Sequence, residues 1–321
     1  MKYIYSFLII IPLIFISCSS QTSNKESSDK VFKIGILQLI EHDALDASYK
    51  GFVDGLKEAG YEEGKNIIID YQNAQGEQAN CVTIGQKFVN DKSDLILAIA
   101  TPAAQAVANM TKDIPILVTA VTDPAAASLV ADNKVPGGNV TGTSDLTPVE
   151  AQIELLNEIT PNLKTVGLLY CSSEQNSVFQ MDIAKKKLDS MGLKYIDATV
   201  TSANEIQQVV QSLIGKVEAI YTPTDNMIAA GMATVALVAE PAKLPVVCGE
   251  GGMTMLGGTA TYAISYYELG KLTASQAVII LKGIKKPAEM PIEKLKKFDL
   301  VVNTNMVNSI GITIPESLYQ K

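Results

Sequence analysis

The chain of 321 residues has no arginine, no tryptophan and a single histidine, His42. Without a guanidinium fork, a ligand carboxylate has to be met by lysine, hydroxyls, backbone N–H groups or helix N-termini. Lysine is outnumbered, with 26 basic residues against 34 acids and a net charge of -8, so clustered phosphate contacts to nucleic acid are not expected. The absence of tryptophan leaves tyrosine and phenylalanine as the aromatic surfaces. One histidine excludes His-rich metal sites and allows a Ser-His-Asp triad only through His42. Cysteine is scarce too. Besides Cys18 there are Cys81, Cys171 and Cys248, an odd and widely spaced set that makes no disulfide framework and reads as buried small hydrophobes. Phosphate-loop, His-Glu-x-x-His and Gly-x-Ser-x-Gly motifs are all missing, so neither a cofactor nor a metal is expected.

What is present begins with a leader. Lys2 precedes an apolar run, Ile4 to Ile16, that is too short to span a bilayer and ends in Ser17-Cys18. A cysteine after a small residue at the end of such a run has the form of a lipoprotein cleavage site, with Phe15 where leucine is usual. Residues 1–17 are expected to be a signal peptide, Cys18 the lipidated residue, and the polar stretch 18–30 a tether. The expected location is the bacterial cell envelope, anchored and extracytoplasmic.

From Val31 onward, Val- and Ile-rich runs alternate with segments of helical period, the mark of α/β units with parallel strands. Strands are expected at 32–39, 66–71, 95–100, 116–121, 165–170, 194–199, 219–221, 245–248 and 298–303. Helices are expected at 44–59, 77–90, 102–110, 147–159, 174–191, 203–214, 226–239 and 266–282. Gly60, Gly192 and Gly215 fall at helix C-caps, and Thr101 before Pro102 reads as an N-cap. The pattern restarts: Phe32-Lys33-Ile34-Gly35-Ile36-Leu37 is echoed by Lys164-Thr165-Val166-Gly167-Leu168-Leu169. Two such halves predict two doubly wound, Rossmann-like lobes. Glycine-rich segments at 136–145 and 257–265 read as crossings between them, giving a multi-strand hinge with a cleft. The expected lobes are 31–143 plus 262–286 and 144–261 plus 287–321.

Ligands of doubly wound sheets bind outside the carboxyl ends of the strands. The loops there carry Glu41-His42-Asp43, Thr101-Pro102, Thr122-Asp123-Pro124, Ser172 to Ser177, Thr222 to Asn226, and Gly249-Glu250-Gly251-Gly252. Hydroxyls and helix starts suit a carboxylate, and acids suit an amine, so the loops together suit a zwitterion. The candidate ligand residues are Thr101, Thr119, Asp123, Ser144, Asn176, Asp225, Asn226, Glu250 and Tyr266. Thr101 and Ser144 are assigned to a carboxylate, Asp225 and Glu250 to an ammonium, and Tyr266 to an apolar group. Each has a plainer reading as a helix cap, worth about 1 kcal/mol and needing no ligand. His42 reads more simply as a loop residue than as a catalyst.

An ordered set of segments carries a resemblance that spans nearly all of 31–318. They include His42-Asp43-Ala44-Leu45-Asp46, Ala98 to Ala106, Val121-Thr122-Asp123-Pro124, Pro136 to Gly142, Pro223-Thr224-Asp225-Asn226, Tyr262 to Gly270, and the tail Leu300-Val301-Val302-Asn303 with Gly311 to Pro315 and Leu318. As a set they resemble the ABC transporter substrate-binding lipoproteins of the group that includes tryptophan- and aromatic-amino-acid-binding proteins. The resemblance implies a periplasmic-binding-protein-like fold of type I with three crossings. It also implies a monomer that captures an amino acid by lobe closure and delivers it to a permease and ATPase complex. Cys171-Ser172-Ser173 departs from the Asn-Pro-Gly often found there. Two other readings stay open: a sensor that presents its closed form to a membrane receptor, and a surface enzyme using His42 with Asp43 or Glu41. A nucleoside or short peptide remains possible as ligand.

Overall fold

The computed structural model describes residues 1–3 and 30–320; the apolar run of the leader, Cys18 and most of the tether lie outside the described residues. The chain divides after Lys30, and among the described residues the strands and helices belong to the unit from Val31 onward.

That unit contains two sheets of six strands. The first opens with β1 (Phe32–Gln38), α1 (Asp43–Glu58), β2 (Ile67–Asn73), α2 (Gln78–Asn90), β3 (Leu95–Ile99), α3 (Thr101–Met110), β4 (Ile116–Val121) and β5 (Val140–Ser144). The second repeats the plan with α4 (Val149–Ile159), β6 (Thr165–Cys171), α5 (Gln175–Ser190), β7 (Lys194–Val200), α6 (Ile206–Leu213), β8 (Ala219–Thr222), α7 (Asn226–Ala230), α8 (Met232–Ala239), β9 (Val246–Cys248), α9 (Gly251–Leu256) and β10 (Ala260–Ala263). The chain then returns as α10 (Tyr266–Leu281), β11 (Glu293–Lys294), β12 (Asp299–Val302) and α11 (Thr304–Ile310). The strand orders are β11-β5-β4-β3-β1-β2 and β12-β10-β9-β8-β6-β7. Each is doubly wound, with its first strand inside and its second at the edge. Among the described residues only β12 runs antiparallel to its neighbour, β10.

Burial explains why these runs are strands. Leu95–Ile99 and Ile116–Val121 are buried along their whole length, as strands covered on both faces must be. In the second sheet the side chains alternate. Val166, Leu168 and Tyr170 enter one apolar cluster, while Leu169 and Cys171 enter the other. Cys81, Cys171 and Cys248 are free, buried thiols. Gln152 of α4 ties the second lobe together from inside. Its amide donates to the Gly249 carbonyl at 3.2 Å and the Tyr262 carbonyl at 2.9 Å, and its Oε1 accepts from the Tyr221 hydroxyl at 2.9 Å.

The chain crosses between sheets three times: after β5, after β10 and after β11. After the second crossing α10 packs on α1 at very close range. A Cβ at Gly51 would sit 2.0 Å from the Tyr267 carbonyl oxygen, and one at Gly270 would sit 2.1 Å from that of Ser48. Only glycine permits this approach.

Several expectations shift. β5 and β10 are strands inside the segments read as glycine-rich crossings, and α9 occupies what read as a loop. Gly231 divides the helix expected at 226–239 into α7 and α8. A tight turn at Ala203–Glu205 precedes α6, which begins only at Ile206. Thr101 is the first residue of α3, and the cap position belongs to Ala100. Glu293 and Lys294, expected with the second lobe, pair with Thr143 and Ser144 in the first sheet. Ser144 itself belongs to that sheet, and Tyr262 and Ala263 belong to the second. We therefore place the lobe boundaries at 31–144 plus 264–295 and 145–263 plus 296–320.

Candidate functional site

The carboxyl ends of the parallel strands of both sheets meet around two small adjoining cavities. His42, Leu45, Ala120, Thr122, Asp145, Asn176, Thr224, Asp225, Asn226 and Tyr266 line the first. The second is lined by Thr101, Asp123, Ala126, Ala127, Gln175, Asn176 and Phe179. Each has about 10 Å³ of free space, room for roughly one water. The lobes are thus shut on their own side chains. Hydrogen bonds cross between them: Thr122 to Thr224, hydroxyl to hydroxyl, at 3.3 Å; Gln105 to Gln175 at 2.6 Å; and the Gln175 amide to the Ala126 carbonyl at 2.8 Å.

The backbone is held in unusual conformations at two strand ends beside the cavities. Ala100 has φ 84° and ψ 152°, and Ala120 has φ 52°. Alanine in either region costs roughly 1–3 kcal/mol, and such strain concentrates where ligands are held.

The polar groups are ordered from beneath. The buried Glu174 carboxylate accepts from the side-chain amides of Asn176 at 3.1 Å and Asn226 at 2.5 Å, and from the Met227 N–H at 2.9 Å. Burial and the neighbouring Asp225 push its pKa up. With its nitrogen on Glu174, Asn226 turns its Oδ1 toward His42, whose Nε2–H donates to it at 3.3 Å across the cleft. That bond fixes the tautomer and leaves His42 Nδ1 as an acceptor. Burial lowers the imidazole pKa, so the ring is neutral at pH 7. Asp145 is buried at the first crossing. Its Oδ2 accepts from the Tyr266 hydroxyl at 2.7 Å. Burial raises its pKa to about 6, against the Tyr266 and Thr122 hydroxyls, which pull it down.

Three acceptors that line the first cavity have no hydrogen-bond partner: His42 Nδ1, Asp145 Oδ1 and Asn176 Oδ1. The Thr101 hydroxyl is likewise unpartnered in the second. Buried polar atoms are rarely left so. No lysine lines either cavity, so the chemistry offered is acceptors on one side and a hydroxyl at the start of α3 on the other.

The structure brings Asn176, Asp225, Asn226 and Tyr266 to the first cavity, and Thr101, Asp123 and Asn176 to the second. Their roles differ from those expected. Asp225 caps α7 through the Ile228 N–H at 2.8 Å, and its other oxygen accepts from the Cys171 N–H at 2.6 Å and the Ser177 hydroxyl at 2.7 Å. Asp123 closes its own turn by accepting from the N–H groups of Ala125 and Ala126. Thr119, Ser144 and Glu250 do not line either cavity. Thr119 accepts from Thr143 inside the first lobe, and Ser144 donates to the Thr122 carbonyl. Glu250 caps α9, accepting from Gly252 and Met253 N–H groups at 2.6 Å each. The Tyr266 ring is buried, with its hydroxyl on Asp145. His42 as a site residue and Asp145 were missed. The signal for Asp145 was an acid directly after a strand at a crossing.

Two doubly wound lobes, hinged by three crossings and closed over unpartnered polar atoms, define a solute-binding clamp. The chain belongs to the ABC transporter substrate binding protein family, whose model matches residues 33–321. It is 40% identical over 296 residues to the tyrosine-binding protein of Clostridioides difficile strain R20291, covering 92% of this chain and 86% of that one. It is 42% identical to the structure of an ABC domain in complex with L-Trp from Streptococcus pneumonia, with a TM-score of 0.87, covering 91% of this chain and 98% of that one. A substrate binding protein with adhesive properties from Clostridium difficile, in its ligand-free, open structure, is 44% identical over 89% of this chain and 97% of that one, yet its TM-score is 0.69. At nearly equal identity, the lobe arrangement here follows the complex rather than the open form.

Proposed function

We propose that the protein is the extracytoplasmic, lipid-anchored solute receptor of an ABC importer, and that its solute is an aromatic amino acid, tyrosine or tryptophan. The observation that carries this reading is the trio of unpartnered acceptors, His42 Nδ1, Asp145 Oδ1 and Asn176 Oδ1, on one cavity. A primary ammonium has three N–H donors and a positive charge, and one of the three acceptors is a carboxylate. The Thr101 hydroxyl and the first turn of α3 suit the ligand carboxylate. Phe179, Ala126 and Ala127 offer the apolar surface that a ring needs. The names of the two relatives, one binding tyrosine and one holding L-Trp, support the ring. An amino acid is far larger than the present free space, so it enters with the lobes apart, and closure repacks the cavity around it. The closed form then docks on a permease served by its ATPase.

The test is calorimetry of protein stripped of ligand by unfolding and refolding, against the proteinogenic amino acids. A dissociation constant near micromolar for tyrosine or tryptophan, about −8.2 kcal/mol, is expected. Silence across the panel would overturn the reading. The anchor is tested separately: Cys18→Ala should move the protein from the membrane fraction of a bacterial host to the soluble fraction, and unchanged fractionation would refute lipidation.

A further inference from the structure

We infer that Tyr266 is a positioning residue that makes the receptor selective for amines: by holding one oxygen of Asp145, it aims the other at the ligand ammonium and ties that contact to the hinge. This rests on the functional reading above.

The geometry is specific. Asp145 is the first residue after β5, where the chain first leaves the first sheet, and Tyr266 opens α10, directly after the second crossing. The 2.7 Å bond from the Tyr266 hydroxyl to Asp145 Oδ2 therefore joins two hinge crossings through side chains 121 residues apart. Both side chains line the first cavity and both are buried. Asp145 Oδ1 has no partner. The Asp145 N–H donates to the Val121 carbonyl, which fixes the backbone, so the carboxylate is oriented by the hydroxyls beside it, Tyr266 and Thr122, of which Tyr266 holds Oδ2 at 2.7 Å. A carboxylate with one oxygen bound and one free presents a single directed acceptor. Without the phenol, either oxygen can turn inward and the charge is harder to keep.

Ionisation follows the same logic. The ionisable groups around Asp145 are Tyr266 from α10 and Glu250 from the start of α9, with His42 before α1 and Asp225 before α7 on the same cavity. None is a lysine, so donation from hydroxyls is what favours the charged form. Removing the Tyr266 hydroxyl raises the pKa of Asp145 further, and amine binding then fails at higher pH.

The experiment compares L-tyrosine with its des-amino analogue, 3-(4-hydroxyphenyl)propionate, on wild type, Tyr266→Phe, Asp145→Asn and the double variant, from about pH 5 to about pH 8. Tyr266→Phe should weaken L-tyrosine about tenfold or more at neutral pH and leave the des-amino acid within about twofold. Its affinity for L-tyrosine should fall away at higher pH than that of wild type. In the Asp145→Asn background, adding Tyr266→Phe should change little, because the phenol acts through the carboxylate. Wild-type binding with unaltered selectivity in Tyr266→Phe overturns the inference alone, as does an equal loss with and without Asp145. If wild type binds no aromatic amino acid, the functional reading falls and this inference with it. Should Tyr266→Phe fold poorly, Asp145→Asn still decides the amine: it keeps an acceptor for the phenol, and undiminished preference for L-tyrosine in it refutes the ammonium contact.

Discussion

Glu250 distinguishes a cap from a ligand contact, because its sequence setting between glycines permits both. The perturbation is Glu250→Ala. In the structure both carboxylate oxygens accept a backbone N–H at 2.6 Å, from Gly252 and Met253, and the residue is buried. Losing a cap costs about 0.5–2 kcal/mol, and leaving a buried N–H unpaired costs about 1–3 kcal/mol. Met253 is fully buried, so its N–H is the one left without water, whereas Gly252 is only half-buried. Some of the loss is returned, because burial already disfavours this carboxylate and pushes its pKa up to about 7. The net expectation is about 2–3 kcal/mol, which in a protein of this size lowers Tm by about 4–12 °C. Affinity for the amino acid should change by less than about threefold, since Glu250 lines neither cavity. The assays are thermal unfolding with saturating ligand absent, and calorimetry well below the shifted Tm. An unchanged Tm with binding abolished would refute the cap and restore the carboxylate as a ligand contact.

Three other outcomes rest on the same structure. Gly270→Ala places a Cβ 2.1 Å from the Ser48 carbonyl oxygen and should cost about 3 kcal/mol or more, while Gly138→Ala, with nothing within 4 Å, should stay within about 0.5 kcal/mol in the same denaturant titration. Glu250→Gln isolates one titration. The folded carboxyl sits at about 7 against an ordinary 4.5, so its proton is held more tightly in the folded protein. That contribution is fully present below the unfolded pKa and is lost as pH rises through 7. Wild type should therefore lose stability relative to the glutamine variant between pH 5 and 8, and a constant gap refutes the shift. Gln175→Ala removes its bonds to Gln105 and to the Ala126 carbonyl across the cleft, and should weaken ligand binding about three- to tenfold, chiefly through faster dissociation in stopped flow.

The strands that the sequence revealed are those built from runs rich in Ile, Leu and Val, such as 95–99 and 116–121, bounded by loop residues. β5 escaped because Val140-Thr141-Gly142-Thr143-Ser144 carries hydroxyls where a buried strand normally carries methyls. Those hydroxyls are satisfied inside: Thr141 donates to the Met290 carbonyl at 2.7 Å, and Thr143 pairs with Thr273 at 2.8 Å. The partners come from segments more than a hundred residues away, which no local pattern can display. α9 escaped for a related reason, since two of its six residues are glycine and its start is marked only by Glu250. At the site, residue type fixed the neighbourhood but not the role. Asp225, Glu250 and Asp145 are all acids at the ends of strands. The first two spend both oxygens on backbone N–H groups, joined at Asp225 by the Ser177 hydroxyl, and the third spends one on a phenol and keeps one. Which acid keeps an oxygen free depends on which N–H groups the turn presents, and turn geometry is set by packing, not by the identity of the acid.

That difference also bears on how closure is controlled. Apart from the hinge bond from Tyr266 to Asp145, the bonds that cross the cleft are uncharged and few, and a net contribution of about 0.5–1.5 kcal/mol each is typical. Against them stand buried polar atoms without partners on both lobes, at about 1–3 kcal/mol each. The closed arrangement therefore holds itself only weakly. A solute that meets His42 Nδ1, Asp145 Oδ1, Asn176 Oδ1 and the Thr101 hydroxyl removes the opposing terms rather than merely adding contacts. Its differential affinity for the closed form is then largely the desolvation cost it cancels, and a shift from mostly open to mostly closed takes about 5.5 kcal/mol. A ligand lacking the amine cancels less of that cost and closes the lobes less completely, even where its ring fits. On the proposed reading, selectivity and closure are set by the same few unsatisfied atoms.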